Sequence, residues 1–543
     1  MRLAIMEETK TIHLKEANTL SDFLSEEERQ TVVSLKITGV IGLKDFDVLD
    51  DICSADGIYD DDDDYIIDYE DSPALRILDI GEAAFVDGDS LPEFGFHSLL
   101  ETLVLPYNIQ KVEEDAGLSE SQLQNLVLPQ GLKTIGGFMC CPHLTNLILP
   151  EGLEEIQPHA FCGCNAITNI RIPASVRLMD GSCFADCNIK AYEIDSNNPY
   201  FTTDDGVIFN KDLNTLVAFP SAYPHKHYKI PDATKYIGSE AFYESRIESI
   251  DIPEGLWDIG KEAFSASMLK SVYLPDSVKK VGGRAFWCCY HLEKIHLSNK
   301  LEEIPPHLFE TCPKLKILDV PSSVRKLYYS AVAWSGGLEQ LILHDGLEEI
   351  VDEGPLGGCR GNLHEILFPK TLKKVQGGLF NYSPLIKSYN VVPDNPYFCV
   401  INEALYSKDG KILYAVPNPK RSSFIVAEET EEIAERAFYS LPELRSVILP
   451  NSLHIIGDRA FQDCSQLENL RLPANITNVG VDFLLSCDNL KTVIMDGIVP
   501  PQMTGHVTDD MWKYKDVELL VPKGSIDEYK KAPGWKTFMI KEQ

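Results

Sequence analysis

The chain has 543 residues, of which 44% are hydrophobic and 24% are charged, so it can form a large folded core. Lys and Arg number 49 against 83 Asp and Glu, which gives a formal net charge of −34. An acidic surface repels phosphate backbones and anionic lipids, which argues against nucleic-acid or membrane-surface binding, and no apolar run is long enough for a membrane helix.

The first 72 residues lack the repeat that fills most of the chain, and we interpret them as an N-terminal cap. The stretch SDFLSEEERQTVVSLKIT predicts a helix that begins at Ser21, followed by a strand. The opening, MRLAIMEETK, contains only the short apolar piece LAIM. This piece is too short for the core of a signal peptide, so a cytosolic and an exported location both stay open.

An acidic run, DGIYDDDDDYIIDYED, lies within this N-terminal segment. The five adjacent aspartates Asp60–Asp64 offer oxygen ligands of the kind that calcium prefers, but the EF-hand spacing D-x-[DN]-x-[DN]-G is absent. Runs of like charge usually form solvated loops. We therefore favour a loop and keep a calcium site as the alternative.

From residue 73 to residue 496 one unit recurs, L-P-x-x-L-x-x-I-x-x-x-A-F-x-x-C-x-x-L-x-x-I-x-L-P. A clear copy is LPNSLHIIGDRAFQDCSQLENLRLP (449–473), and Phe138, Phe161 and Phe184 are 23 residues apart. The L-x-x-I-x-L part alternates and ends at Pro, which predicts a short strand. The A-F-x-x-C-x-x-L part has apolar positions three apart, which predicts one or two helical or 3₁₀ turns.

Stacked strand-and-turn units of 22–23 residues predict an α/β repeat fold, a leucine-rich-repeat solenoid, with a β-helix as the alternative. Two similar segments interrupt the stack, NPYFTTDDGVIFNKDLNTLVAFP (198–220) and NPYFCVINEALYSKDGKILYAVP (395–417). Each predicts a β-hairpin insertion, over about residues 195–230 and 390–424. Residues 497–543 predict a C-terminal cap of strand, turn and short helix, in which Trp535 and Phe538 cover the last apolar layer.

Together these features resemble the BspA-like leucine-rich-repeat family of bacterial surface proteins. The resemblance spans nearly the whole chain. It rests on the A-F-x-x-C unit, the lead-in TLSDFLSEEERQTVVSLKITG, the ending VPKGSIDEYKKAPGWKTF and the two NPYF insertions. It implies an exported, non-enzymatic binding or adhesion protein located outside the cell or at its surface, and it transfers no catalytic residue to this chain.

The cysteines are candidates for nucleophiles, metal ligands or disulfides. A catalytic nucleophile is needed once, whereas a small buried residue is needed in every coil, so we interpret the repeated cysteines as core residues. Neighbouring coils would bring them within disulfide reach, and that alternative stays open. Seven of the 14 cysteines occupy the A-F-x-x-C position: Cys141, Cys164, Cys187, Cys289, Cys312, Cys464 and Cys487.

No other pattern predicts catalysis, a metal or a cofactor. The near pair Cys162 and Cys164 lacks zinc-site spacing, and HKHY (His225–Tyr228) lacks a third ligand. Carboxylate pairs such as Glu348–Glu349 recur at one exposed repeat position, so they do not indicate an acid/base site. Nucleophile-elbow, P-loop, dinucleotide and H-E-x-x-H motifs are absent. We therefore expect a protein that is not an enzyme.

The residue between the last two apolar positions of each I-x-L strand is expected to point outward, and solenoids bind partners along such faces. We expect recognition of a host or bacterial macromolecule, a protein or glycan, by a chain that is monomeric or self-associates weakly. Aliphatic residues in the same column indicate either a covered surface or strand propensity alone. Alternatives are a glycan-acting hydrolase and a purely architectural, self-associating surface protein. The candidate binding residues are Arg171, Asp251, Tyr273, His296 and Asp319.

Overall fold

The computed structural model divides into two compact units, Met1–Leu269 and Lys270–Gln543. Each unit is a stack of coils crossed by rows of short parallel strands. In the described part of the chain the helices are Glu26–Thr31, Leu43–Cys53 and Ile526–Lys531, with 3₁₀ turns at Leu20–Asp22 and Trp535–Thr537. The described residues are 9–54, 57–59, 65–67, 74–95, 98–351, 363–376, 379, 383, 385–417, 421–503 and 514–543.

The N-terminal segment continues the sheet of the repeats. Helix Leu43–Cys53 buries one face against this end of the core, and its Phe46 ring meets Phe85 edge-on with the centroids 5.5 Å apart. The helix therefore covers apolar side chains of the first coils. The parallel sheet has five strands in the order Lys10–Leu14, Ser34–Ile41, Ile77–Phe85, Thr102–Val104 and Asn125–Val127.

The first α-helix begins later than the sequence pattern indicated. Ser21 lies in the 3₁₀ turn, and the helix Glu26–Thr31 is capped by Ser25. The Ser25 hydroxyl accepts from the Glu28 N–H at 3.3 Å, and the Glu28 carboxylate accepts from the Ser25 N–H at 3.0 Å. The predicted start at Ser21 was wrong because Ser25 has a Glu three residues later to complete this capping box, whereas Ser21 has Leu24.

Two rows of strands run through each unit: a front row formed by the I-x-L strands and a back row formed by the x-I pair that follows each L-P. Unit 1 adds to the front-row strands above Arg171–Ile172, Glu193–Ile194, His227–Lys229 and Ser249–Asp251. Its back row contains Lys111–Val112, Thr134–Ile135, Glu155–Ile156, Tyr236–Ile237 and Asp258–Ile259. A separate antiparallel pair joins Gly57–Tyr59 and Tyr65–Ile67.

Unit 2 repeats this arrangement. Its front row contains Ser271–Tyr273, Lys294–His296, Ile317–Val320, Gln340–Leu343, Glu365–Phe368, Ser388–Val391, Ser423–Ile425, Ser446–Ile448, Asn469–Leu472, Thr492–Met495, Glu518–Val521 and Met539–Glu542. Its back row contains Lys280–Val281, Glu303–Ile304, Lys326–Leu327, Glu349–Ile350, Glu432–Ile433, Ile455–Ile456, Asn478–Val479 and Gln502–Met503.

Each NPYF segment forms three antiparallel strands, one more than a simple hairpin. The last strand of each pairs in parallel with the next back-row strand, so the insertion is continuous with that row. Asn198 and Asn395 lie buried at the two entrances, and each side-chain amide donates to two carbonyl oxygens of the preceding coil. The strands are Phe201–Asp204, Val207–Asn210 and Thr215–Ala218, then Phe398–Ile401, Ala404–Ser407 and Ile412–Ala415.

The A-F-x-x-C segments, predicted as one or two helical or 3₁₀ turns, form separate turns closed by i→i+3 hydrogen bonds and do not continue into a helix. In one coil the N–H groups of Arg459, Phe461 and Asp463 donate to carbonyl oxygens of the next coil at 2.8–2.9 Å. Within the coil the N–H groups of Gln462 and Cys464 close i→i+3 turns to the carbonyl oxygens of Arg459 and Phe461. Arg459 and Asp463 have left-handed backbone, with φ of 52° and 59°, and this recurs before Ala and before Cys in many coils. A left-handed residue every fourth position cannot continue a helix.

The phenylalanines of the A-F pairs form the core stack. In unit 1 the Phe161 and Phe184 rings are parallel, with the centroids 5.3 Å apart. In unit 2 the centroids of Phe438 and Phe461 are 4.7 Å apart, and both side chains are fully buried. At the far end of unit 2 the side chains of Trp535 and Phe538 are buried in the same core cluster as Leu519 and Val521.

The seven repeated cysteines are free, and all are buried except the partly buried Cys487. Six of their thiols donate to a carbonyl oxygen of the preceding coil, a role that the sequence did not predict. The Cys464 thiol donates to the Phe438 carbonyl oxygen in the preceding coil at 3.2 Å, and Cys312 donates to Phe286 at 3.1 Å. Where Ser335 replaces the cysteine, its hydroxyl donates to the Phe309 oxygen at 2.6 Å. In these coils the position therefore holds a small hydrogen-bond donor, whereas the coil of Phe438 has the buried Leu441 there.

Phe461→Ala should lower the free energy of unfolding by about 3–5 kcal/mol, because it leaves a cavity in a fully buried aromatic stack. Each coil contacts mainly its neighbours, so hydrogen exchange should speed up first in the coils around residues 438 and 483. Ile455→Ala, at an exposed back-row position, is the control and should have little effect. A uniform loss of protection across unit 2 would contradict the stacked-coil description.

Cys464→Ala should be less stable than Cys464→Ser by about 1 kcal/mol, because only serine replaces the donor to the buried Phe438 carbonyl. Urea unfolding followed by circular dichroism gives both free energies. If alanine is tolerated as well as serine, the thiol is only an apolar filler at this position.

Candidate functional site

The outward column consists of the front-row residues whose side chains point away from the core. Burial alternates along the strands as predicted: in Ser271–Tyr273 the middle residue is buried and its neighbours are exposed. Strand register places the column residues of successive coils side by side. In unit 2 the column is Tyr273, His296, Asp319, Ile342, Leu367, Asn390, Ile425, Ile448, Arg471, Ile494, Leu520 and Lys541.

Two of the predicted binding residues lie in unit 1, and both are engaged by neighbouring coils. The Arg171 guanidinium donates to Glu151 at 2.6 Å and also to Asp195. Asp251 lies 3.4 Å from the Nε2 atom of His227. Neither side chain is a free charge, so each presents a paired group to solvent.

The other three predicted binding residues lie in consecutive coils of unit 2. The rings of Tyr273 and His296 stack in parallel, with the centroids 4.6 Å apart, although Tyr273 stays 56% exposed. This stacking fixes the tyrosine against its neighbour, so little side-chain freedom remains to be lost when a ligand binds.

Asp319 makes a contact with a histidine that the sequence did not predict. Its Oδ1 atom lies 2.7 Å from Nε2 of His344, in the next coil. His344 follows the strand Gln340–Leu343 and takes the place that proline has in most copies of the repeat. That departure from the L-P pattern was the signal in the sequence that could have identified it.

These side chains line a cleft of about 270 Å³ on the front face of unit 2. Two imidazoles, a carboxylate, an amide and a hydroxyl converge there, so the cleft offers both donors and acceptors beside the apolar surface of Ile295, Leu297 and Pro321. The lining residues are Ile295, His296, Leu297, Asn299, Asp319, Pro321, Ser322 and His344.

Beyond this cleft the column of unit 2 becomes aliphatic. Leu367, Ile425 and Ile448 are 53%, 56% and 60% exposed. Because Ile425 and Ile448 are paired in register, their side chains form a continuous apolar surface. Single exposed apolar residues are ordinary, whereas a contiguous set indicates a contact surface.

A second pair breaks the repeat on the turn side of unit 1. The Nε2 atom of His159 lies 3.3 Å from the Glu240 carboxylate, which is only 12% exposed. Burial raises the pKa of Glu240, and Asp180 and Glu262 add to this effect. The pair forms because the insertion brings residue 240 beside the coil that contains Asp180, and a sequence period of 22–23 residues could not show that.

The repeated cysteines and the paired carboxylates, which were considered as catalytic groups, have pKa shifts that do not suit catalysis. Burial raises the pKa of the Cys464 thiol well above its usual value, and that of Cys487 to about 12, so neither is a ready nucleophile. Glu348 bonds Lys373 at 2.6 Å and Arg325 at 2.8 Å, and these partners lower its pKa. A carboxylate held ionised in this way cannot act as a general acid.

Among the residues that the structure describes, no group of three or more His, Cys, Asp or Glu converges in a way that could hold a metal ion. His227 begins a strand, and its Nδ1 atom lies 2.9 Å from the Ser249 hydroxyl. The run Asp60–Asp64, the calcium alternative, lies outside the described residues.

Within the described ranges no helix is both long enough and apolar enough to cross a membrane.

Comparison with known proteins agrees with this fold. A family model described as BspA type leucine rich repeat region, with six copies, matches residues 79–205, 217–339, 309–399 and 415–500. A search of curated proteins gave no match. The solved leucine-rich repeat protein from Eubacterium ventriosum is 20% identical, with a TM-score of 0.48, and the match covers 56% of this chain and 83% of that one.

Two further solved structures are similar. A leucine-rich repeat protein from Bacteroides ovatus is 20% identical, with a TM-score of 0.42, over 72% of this chain and 87% of that one. A leucine rich cell surface protein from Faecalibacterium prausnitzii is 19% identical, with a TM-score of 0.43, over 59% of this chain and 98% of that one. Because the family model matches well over half of its residues, this chain belongs to the BspA type leucine-rich-repeat family.

Proposed function

We propose that the chain is a non-enzymatic binding or adhesion protein that recognises a host or bacterial macromolecule, a protein or a glycan, through the outward column of unit 2. The observation that supports this most is the cleft beside Tyr273 and His296, where Asp319 and His344 also converge. It is the part of the column that combines an exposed aromatic ring with several hydrogen-bonding groups.

The backbone register of the strands holds these groups in place before any ligand arrives. Tyr273 and His296 are paired residues of adjacent strands, and Asp319 lies on the next front-row strand. A pre-formed site loses little conformational entropy on binding, so a modest number of contacts gives useful affinity. Polar groups around one aromatic anchor suit a polar ligand surface, as a folded protein or a glycan presents.

A hydrolase is the weaker candidate. Glycoside hydrolysis commonly uses two carboxylates that flank the scissile bond. Among the described residues that line the cleft there is one carboxylate, Asp319, and it is already bound to His344. The cleft therefore fits recognition better than it fits this chemistry.

We further propose that the protein acts outside the cell or at its surface, as a monomer or a weakly self-associating chain. The family membership supports this location. The net charge of −34 would speed encounters with basic partners and would keep copies of the chain apart. Light scattering tests the association state and would separate this proposal from a purely architectural role.

The proposed site predicts an asymmetry between two exposed tyrosines of unit 2. Once a screen against matrix proteins and a glycan array has given a ligand, Tyr273→Ala should weaken binding by about 1–2 kcal/mol, as is usual for an interface aromatic. Tyr290→Ala is the matched control: this side chain is 51% exposed but lies on the turn side, and its loss should leave binding unchanged. Surface plasmon resonance measures both affinities.

Asp319→Ala should weaken the binding of the same ligand. Raising the salt concentration should slow the association of this ligand more than it speeds its release. If Tyr273→Ala and Asp319→Ala both bind like the unmodified protein, while removal of an insertion abolishes binding, recognition lies elsewhere on the chain.

A further inference from the structure

The same surface arrangement occurs once in each unit. Four successive coils present two exposed aliphatic residues, then an arginine, then an aspartate. In unit 1 these are Val127, Ile148, Arg171 and Asp195, and in unit 2 they are Ile425, Ile448, Arg471 and Asp496. The isoleucines and the arginines are each 300 residues apart (448 − 148 and 471 − 171), and residues 146–187 align with 446–487 without a gap.

The aliphatic part of both patches is strongly exposed. Ile148 is 81% exposed and Val127 51%, while Ile448 is 60% and Ile425 56% exposed. All four lie in the outward column: Val127, Ile425 and Ile448 are on paired strands, and Ile148 follows the bridge between Asn125 and Asn146. Strand propensity alone does not account for exposed apolar pairs at matching positions of both units, so we interpret them as contact surfaces.

The arginine of each patch is held flat by carboxylates. Arg471 donates from Nε at 2.9 Å and from Nη2 at 2.8 Å to the two oxygens of Asp496, a bidentate pair. Arg171 donates to Asp195 and, at 2.6 Å, to Glu151. The side chains of Asp195 and Asp496 are 15% and 28% exposed, and those of Arg171 and Arg471 are 49% and 64% exposed. Each guanidinium is therefore hydrogen-bonded to its acid and remains partly open to solvent.

We infer that these two patches are equivalent docking sites, and that each accepts a polypeptide segment with an aromatic side chain. Each pairs an apolar surface with a fixed guanidinium plane, and guanidinium planes stack on aromatic rings. The aliphatic pair would cover the remainder of the segment.

The charge of the patches makes an anionic ligand a poorer fit than an aromatic side chain. In unit 2 the charge of Arg471 is balanced by Asp496, and in unit 1 Arg171 faces two carboxylates. A phosphate or carboxylate group would have to displace these partners, whereas an aromatic ring needs only the open face of the guanidinium. One chain would thus bind two copies of a segment.

This inference extends the proposed binding role of the outward column, but it does not require the cleft at Asp319 to bind anything. The residues are different, and in unit 1 they belong to a separate part of the chain. Variants of the patches and variants of the cleft therefore give independent answers.

The test uses a phage-displayed library of random dodecapeptides selected on the full-length chain. Enriched peptides should contain Trp, Tyr or Phe, and calorimetry should give two peptides bound per chain. Ile148→Ser and Ile448→Ser should each reduce this to one, and the double variant should bind at least tenfold more weakly. Arg171→Lys and Arg471→Lys keep the charge but lose the planar group, and each should weaken its own site about fivefold.

Leu178→Ser and Ile455→Ser remove exposed apolar residues of the back face and should change nothing, and Asp319→Ala should leave both peptide sites intact. Thermal unfolding checks that every variant folds. Failure to enrich any peptide, enrichment of peptides without aromatic residues, or undiminished binding to the double variant overturns the inference. Dimerisation of the full chain that the double variant abolishes would instead make a second copy the occupant, which also overturns it.

Discussion

The hydrogen bonding between neighbouring coils is the constraint on which the rest of each unit depends. The front and back rows bond in parallel, and a third set of bonds joins the turns, as when the N–H groups of Phe461 and Asp463 donate to the next coil. These bonds fix which residue lies beside which. A residue therefore meets the one about 23 positions later, and a repeat in sequence becomes a column in space. The Phe stack, the thiol donors and the outward column all follow from that register.

Much of this could be predicted from the sequence, because a period in the chain and a column in the fold carry the same information. The strands, the buried phenylalanines and the exposed positions of Tyr273, His296 and Asp319 were all visible in the pattern. The turn conformation was not visible in the pattern, since apolar positions three apart suit a helix as well as separate turns that contain left-handed residues. The pair of Asp319 with His344 was missed because it joins two different columns, and a search along one column cannot find it.

The register also explains why pairs of carboxylates in the sequence do not form acid/base sites. Glu348 and Glu349 are neighbours in the chain, but each turns toward a basic residue of an adjacent coil: Glu348 toward Arg325 and Lys373, and Glu349 toward Lys326. Each glutamate thus pairs with a basic residue of an adjacent coil and not with its neighbour in the sequence. Where the first insertion changes the stacking, the partly buried acid Glu240 lies beside His159, a contact between residues that are not one repeat apart.

The outward column can change without disturbing the core, because its side chains pack on no apolar layer. The cleft shows what such change produces. In two of three successive coils the proline that ends the front strand is replaced, by Ser298 and by His344, while Pro321 remains between them. Proline has no N–H and a fixed ring. His344 instead adds an imidazole beside Asp319, and the buried Ser298 hydroxyl donates to the Val278 carbonyl oxygen at 2.6 Å. The backbone still pairs in register around them. Recognition groups in this fold are therefore positioned by the hydrogen bonds of the coils, and their identity is free to follow the ligand instead of the core.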